Sequence, residues 1–321
     1  MDIVTVKNLT KKYDDFLAVN KINFSIKKGE IFGFLGPNGA GKTTTINMLT
    51  GLCKVTDGNI TISSIDAVKN IKEVQGIIGI VPDESNLYDE LTGFENLCFC
   101  ASLYGMRKKE REERAWDLLK QFKLEDTGKK LYEDYSKGMK RKLTIAAGII
   151  HEPKILFLDE PTTGIDVESA RQIRKMIVDL NKKGTTIFLT THYIEEAERS
   201  CNRIAFIVNG KIVKIGTLEE LMKEVQKEKI IQFIVDSSAK SVKEKMQKEF
   251  PDYKFEIISS NTIRLISNST VSLMPFIKYF DDNGLNVYEA KVIKPSLEEV
   301  FVRITGIEAS KMKKEKAGGK K

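Results

Sequence analysis

Long apolar runs are missing from this chain of 321 residues. The longest candidates, such as Leu143 to Ile150, fall well short of the ~18 consecutive apolar residues that a membrane-spanning helix needs. The N-terminus carries no signal-peptide pattern either. The expectation is a soluble chain that takes any membrane role through a partner. Cysteine is scarce too. The four present, Cys53, Cys98, Cys100 and Cys201, have neither the paired spacing of a metal site nor the density of a disulfide scaffold, so reduced thiols in a cytoplasmic setting are expected. Bias toward disorder is absent over most of the length, where 41% hydrophobic and 30% charged residues suffice for two compact domains. The exception is the end, where residues 307–321 hold six lysines against Glu308 and Glu315, within a formal net charge of +7. That tail reads as disordered, and as a solubilising segment ahead of a lipid-contacting one. It does not require a nucleic-acid partner.

What the chain does contain is concentrated first at Gly36 to Thr43, GPNGAGKT, between an apolar run at Ile31 to Leu35 and a helix-like segment at Thr44 to Leu49. Glycines suit a loop whose backbone N–H groups must converge on phosphate oxygens at a helix N-terminus, because a Cβ would obstruct the approach and the helix dipole favours negative charge. In such a P-loop Lys42 supplies a point charge to the β- and γ-phosphates, and Thr43 a hydroxyl to Mg²⁺. The strand and helix on either side set this reading above that of an ordinary Gly-rich turn.

A second concentration lies at Ile155 to Leu158, four apolar residues ending in Asp159 and Glu160. The pattern is that of a buried parallel strand delivering two carboxylates at its C-terminal edge. Beside a bound nucleotide the two can divide the work, Asp159 on the metal and Glu160 on the proton of the attacking water. A similar strand, Thr186 to Thr190, delivers His192. Further strands are expected at Ile3 to Val6, Ile60 to Ile62 and Ile77 to Val81, with residues 90–150 largely helical. Thr92 with Glu95 forms a capping-box signal there, and Lys109 to Phe122 is amphipathic around Trp116. The alternation implies an α/β sheet with an inserted helical subdomain over residues 1–227. A hairpin turned at Asn209 and Gly210 and a helix opened by Thr217 close that domain.

Residues 228–306 change pattern to a βαββαβ order, a small ferredoxin-like α+β domain without P-loop, histidine or cysteine. Its expected elements include a helix from Val271 to Phe280 and a last helix capped at Ser296. There Leu297, Val300, Phe301 and Ile304 make an apolar stripe, to be covered by its own domain or by a partner.

Taken in order, the P-loop, YSKGM at Tyr135 to Met139, ILFLDE at Ile155 to Glu160, GID at Gly164 to Asp166, and His192 make the chain resemble the ATP-binding subunit of an ABC transporter over about residues 2–220. PSLEEVFVRITG at Pro295 to Gly306 resembles the subgroup serving multidrug, peptide or ion exporters. The resemblance implies ATP and Mg²⁺ as ligands. Nucleotide contacts would come from Tyr13, which matches the adenine-stacking aromatic, from Gly36, Pro37, Asn38, Gly39, Ala40, Gly41, Lys42, Thr43 and Thr44, and from Ser136, Lys137, Gly138 and Asp166. Thr43, Asp83 and Asp159 would serve the metal, with Glu160 and His192 in catalysis. It also implies a dimer, a homodimer as the simpler expectation with a heterodimer as the alternative, in which each signature segment closes the partner's P-loop, and a separate transmembrane permease that brings the subunit to the inner face of the membrane. Two positions depart from the family pattern. Lys137 and Met139 replace a glycine and a glutamine of the signature, and Asp83 stands where a glutamine is usual. A soluble ATPase of ribosomes or DNA fits less well, because there is one cassette and no heptad insertion.

Overall fold

The computed structural model describes residues 1–226, 229–269, 271–293 and 296–307; most of the lysine-rich tail lies outside them. Two compact units divide the chain, Met1–Leu218 with the segment beginning at Ile304, and Glu219–Arg303. The sequence reading drew its boundary at the far end of the helix that begins at this division.

The first unit opens with β1 (Asp2–Tyr13) and β2 (Phe16–Lys27), then β3 (Ile31–Leu35), α1 (Lys42–Leu49), β4 (Asp57–Ile62), β5 (Ile65–Asp66), α2 (Ile71–Gln75) and β6 (Ile78–Val81). Three helices follow, α3 (Gly93–Leu103), α4 (Lys108–Gln121) and α5 (Lys137–Gly148). The unit continues through β7 (Ile155–Asp159), α6 (Val167–Lys182), β8 (Thr186–Thr191), α7 (Ile194–Ser200), β9 (Arg203–Val208) and β10 (Lys211–Thr217), and α8 (Leu218–Gln226) starts at the division. Strands β2-β1-β4-β5 form an antiparallel sheet, and β10-β9-β3-β8-β7-β6 form a second sheet that is parallel from β9 to β6.

Every residue of β3, β7 and β8 is buried, as expected of central parallel strands covered on both faces. Alternation sorts their side chains. Phe32, Phe34, Phe157 and Phe188 face the antiparallel sheet with Phe24, whose ring stacks on Phe32 at 5.6 Å. Ile31, Leu156, Leu158 and Leu189 face the helices instead. The capping box at α3 forms as read, with Thr92 N donating to Glu95 Oε2 at 2.8 Å and Glu95 N to Thr92 Oγ1 at 3.1 Å. In α4 the buried face is Ala115, Leu118 and Leu119, while Trp116 stays 37% exposed and stacks on Phe94. Strand β2 was not anticipated. Register shifts and a left-handed Lys21 break the alternation of its first half, but in the second half Ile22, Phe24 and Ile26 are buried and alternate with less buried neighbours, the signal that could have found it.

In the second unit β11 (Lys229–Val235), α9 (Ala239–Glu249), β12 (Lys254–Ser259), β13 (Thr262–Ser267), α10 (Met274–Asp282), β14 (Val287–Ile293) and α11 (Leu297–Thr305) follow one another. The sheet is antiparallel in the order β12-β13-β11-β14. Ile231, Phe233, Phe255 and Leu265 pack with Val242 and Met246 of α9 and Phe276 and Phe280 of α10. Helix α10 starts at Met274 rather than Val271, because Pro275 favours the first turn of a helix. On the opposite sheet face Arg264 bonds Gln232 at 3.1 Å and Glu299 of α11 at 3.3 Å. Ser296 and Glu299 cap α11 reciprocally, and Leu297, Val300 and Phe301 are buried within the chain, while Ile304, the fourth residue of the stripe, is half-buried.

Candidate functional site

Strand β3 runs directly into the Gly-rich loop. Gly36 N donates to Thr191 O at 3.3 Å, and a Cβ on Gly36 would lie 2.2 Å from the Ile207 carbonyl oxygen. Gly41 has φ +100° and abuts Ala18 O, so any side chain there would meet both strain and backbone. The hairpin at Asn209 and Gly210, both left-handed, supports the loop from behind, with Gly210 N donating to Ala40 O at 3.0 Å and Asn20 N to Gly210 O at 2.8 Å. Gly41 caps α1 without a side chain, which leaves the first-turn N–H groups to an anion. The cavity here has a volume of about 340 Å³ and is lined by residues between Asn38 and Thr44 together with Phe16, Ala18, Asp83 and Glu160.

Lys42 is buried. Its ammonium donates to Gly36 O at 2.8 Å and Pro37 O at 3.1 Å and pairs with Glu160 Oε1 at 3.1 Å, three acceptors for three protons. Glu160 Oε2 accepts from Thr163 Oγ1 at 2.9 Å and from His192 Nδ1 at 2.7 Å. Because the acceptor is a carboxylate, that contact puts a proton on Nδ1. Burial works to raise the Glu160 pKa, but His192 and Lys42 outweigh it and hold the group at about 2. Asp159 is buried beside it, hydrogen-bonded by Thr190 and Thr43; burial pushes its pKa up against those two bonds. Asp83, just beyond β6, lines the same cavity and acts electrostatically on Asp159. The donor set of Thr43, Asp159 and Asp83 suits a small hard cation that completes its shell with phosphate and water rather than within a protein cage. No cluster of three or more His, Cys, Asp or Glu side chains able to hold a metal occurs among the described residues.

The structure thus brings together the P-loop, Asp83, Asp159, Glu160 and His192. It does not bring Ser136, Lys137, Gly138 or Asp166 to that cavity, whose lining includes none of them. Ser136 caps α5, its Oγ accepting from Met139 N at 3.3 Å. Gly138 is pressed against α6, where an added Cβ would lie 2.3 Å from Ser169 Oγ, and Asp166 caps that helix by accepting from Ser169 N at 2.8 Å. Tyr13 is also outside the lining. Its hydroxyl lies 3.3 Å from Cys53 Sγ and Lys11 Nζ lies over its ring at 4.5 Å. Across the hairpin, its Cα partner Phe16 is 66% exposed and does line the cavity. Sequence reasoning passed over Phe16, although a large aromatic left in solvent at a hairpin end is the signal that could have found it. Arg141, which reaches the carbonyls of Asp159 and Glu160, was passed over as well.

A glycine loop between a buried parallel strand and a helix, with paired carboxylates at the end of another strand of the same sheet, defines a P-loop nucleoside triphosphatase. The ABC transporter family profile matches residues 19–163. The linearmycin resistance ATP-binding protein LnrL of Bacillus subtilis is 35% identical over 314 residues, 95% of this chain and 98% of that protein. The bacitracin transport ATP-binding protein BcrA of Bacillus licheniformis is 35% identical over 305 residues, 95% and 97% of the two chains. Among solved structures, an ATP-binding subunit of an ABC transporter matches with a TM-score of 0.64 at 31% identity, covering 70% of this chain and 93% of that one. A dimeric ATP-binding cassette in a post-hydrolysis state bound to ADP and Pi matches with a TM-score of 0.62 at 29% identity, covering 67% and 98%. The chain belongs to the ATP-binding proteins of ABC transporters, and its activity is that of an ATPase.

Proposed function

We propose that this ATPase energises export through a separate transmembrane permease, working as a homodimer at the inner face of the membrane. No helix among the described residues is long and apolar enough to cross a membrane. The relatives named for bacitracin transport and for linearmycin resistance support an export role. The observation that carries hydrolysis is the junction of Lys42, Glu160 and His192 in one buried cluster. Lys42 exchanges its Glu160 contact for the β- and γ-phosphates, Glu160 takes the proton of the attacking water, and His192 holds Glu160 in place. Thr43, Asp159 and Asp83 would hold Mg²⁺, which when bound would supply positive charge to neutralise the phosphates. Ser136, Lys137 and Gly138 act on the partner's nucleotide. The second unit, with its ferredoxin-like plan, serves interaction or regulation.

The test is copurification with a multispan membrane protein that stimulates ATP hydrolysis; absence of any stimulating membrane partner for the intact chain would overturn the proposal. Removing residues 229–307 should weaken that association. In the same assay Asp83→Ala should lower stimulated activity about tenfold, a coupling of ordinary size, while basal activity changes less. Asp83→Gln should be tolerated. Equal loss of basal and stimulated activity in Asp83→Ala would mark plain structural damage.

Phe16 is proposed as the aromatic surface for the base, in place of or beside Tyr13. Phe16→Ala should raise KM for ATP roughly tenfold, on the scale of losing one base–aromatic stack, with kcat unchanged. An unchanged KM would return the role to Tyr13.

A further inference from the structure

Arg141 lies in the second turn of α5 and is 4% exposed. Its guanidinium is spent entirely on main-chain carbonyls of two other segments. Nε donates to Pro161 O at 2.9 Å; Nη2 donates to Asp159 O at 2.7 Å and Glu160 O at 2.9 Å. Nη1 donates to Asp83 O at 3.0 Å and to Pro82 O. A guanidinium has five N–H donors in one rigid plane, and here each has one acceptor.

The acceptors are not scattered. Three follow the end of β7 through both members of the acidic pair, and two follow the end of β6 at Asp83. Glu160 has φ +46°, a left-handed conformation unfavourable for a residue with a side chain, and Arg141 grips the carbonyl on each side of that φ. The same helix presents Ser136, Lys137 and Gly138 at its start.

We infer that Arg141 is a positioning residue that fixes the strained backbone at Glu160 and joins it, through one planar group, to the Asp83 segment and to the signature helix. Displacement at the N-terminus of α5 therefore reaches Glu160 and Asp83 together. This rests on the reading of Glu160 as the base that activates water.

Arg141→Lys keeps the charge but offers three donors to five carbonyls. Per nucleotide-binding site, kcat should fall by roughly 10- to 100-fold, as when a reacting group is displaced by about an ångström, with the Kd for ATP within about threefold of wild type. Adding Arg141→Lys to Glu160→Gln should produce little further loss, because both act on one step. Unchanged kcat, a parallel loss of ATP affinity, or full additivity with Glu160→Gln would each overturn the inference. If Glu160→Gln itself retains hydrolysis, the assignment of the base fails instead, and the two failures are distinct. Should Arg141→Lys not fold, hydrogen exchange on the unmutated protein decides. A nonhydrolysable ATP analogue should alter protection of residues 137–148, 82–85 and 159–163 together, and independent changes in these segments would overturn the linkage.

Discussion

Replacing Glu160 with glutamine should cut steady-state ATP hydrolysis by a factor on the order of 10² or more, the usual scale for losing a general base, while ATP binding survives. The side chain keeps its size, so the cavity beside Lys42 keeps its shape. What disappears is the negative oxygen. In the structure that carboxylate is held at about 2, because His192 and Lys42 overcome the effect of burial. So acidic a group is fully ionised at neutral pH and is a poor proton acceptor while both cationic and N–H partners remain. Transfer of Lys42 to the phosphates frees Oε1 and raises the basicity of Glu160 at the step that needs it. In Glu160→Gln Lys42 loses its charged acceptor and keeps only neutral ones, the Gly36 and Pro37 carbonyls and the new amide oxygen, so ATP should bind at least as well. A stable ATP-bound dimer on size exclusion is the expected companion of the slow turnover. Near-normal hydrolysis would sink the assignment.

Subunits carrying Lys42→Ala and subunits carrying Ser136→Arg should each be nearly inactive alone and regain activity when mixed. Ser136 sits at the cap of α5 and Gly138 against α6, and neither lines the cavity that Lys42 and Glu160 share. An α-helix N-terminus nevertheless favours an anion, and Lys137 adds a positive charge in the first turn. If the phosphate it meets belongs to the partner, a mixed dimer holds one site with an intact Lys42 on one side and an intact Ser136 on the other. Heterodimers are verified by mass and ATPase is read on the mixture. No gain over either variant in such a mixture would count against action in trans.

The parts of this site that were legible in sequence are those whose chemistry demands neighbours in the chain. Phosphate binding needs Gly36 to Thr43 as a unit, and a buried strand with acidic residues at its end needs Ile155 to Glu160 as a unit; the strand and helix on either side of the first, and the buried strand of the second, form as read. The βαββαβ order was also legible, because each of its elements carries its own periodicity. What was hidden depends on distant contacts. Arg141 looks like one more cation in a lysine-rich turn, and only folding shows its acceptors at residues 82, 83 and 159 to 161. Nor could sequence tell that Trp116 would lie at the edge of the buried α4 face while Leu118 and Leu119 occupy its centre. The stripe at Leu297, Val300, Phe301 and Ile304 was visible, but not that the first three would be buried within the chain while Ile304 is only half-buried.

The support behind the P-loop has a consequence for synthesis. Gly36 is packed on Ile207 O, and Ala40 receives its hydrogen bond from Gly210, so the loop leans on residues that lie far later in the chain. A polypeptide leaving the ribosome N-terminus first has its phosphate-binding sequence exposed long before the β9–β10 hairpin arrives to brace it. During translation, the segment that grips ATP in the finished protein is complete as a sequence well before it is complete as a site.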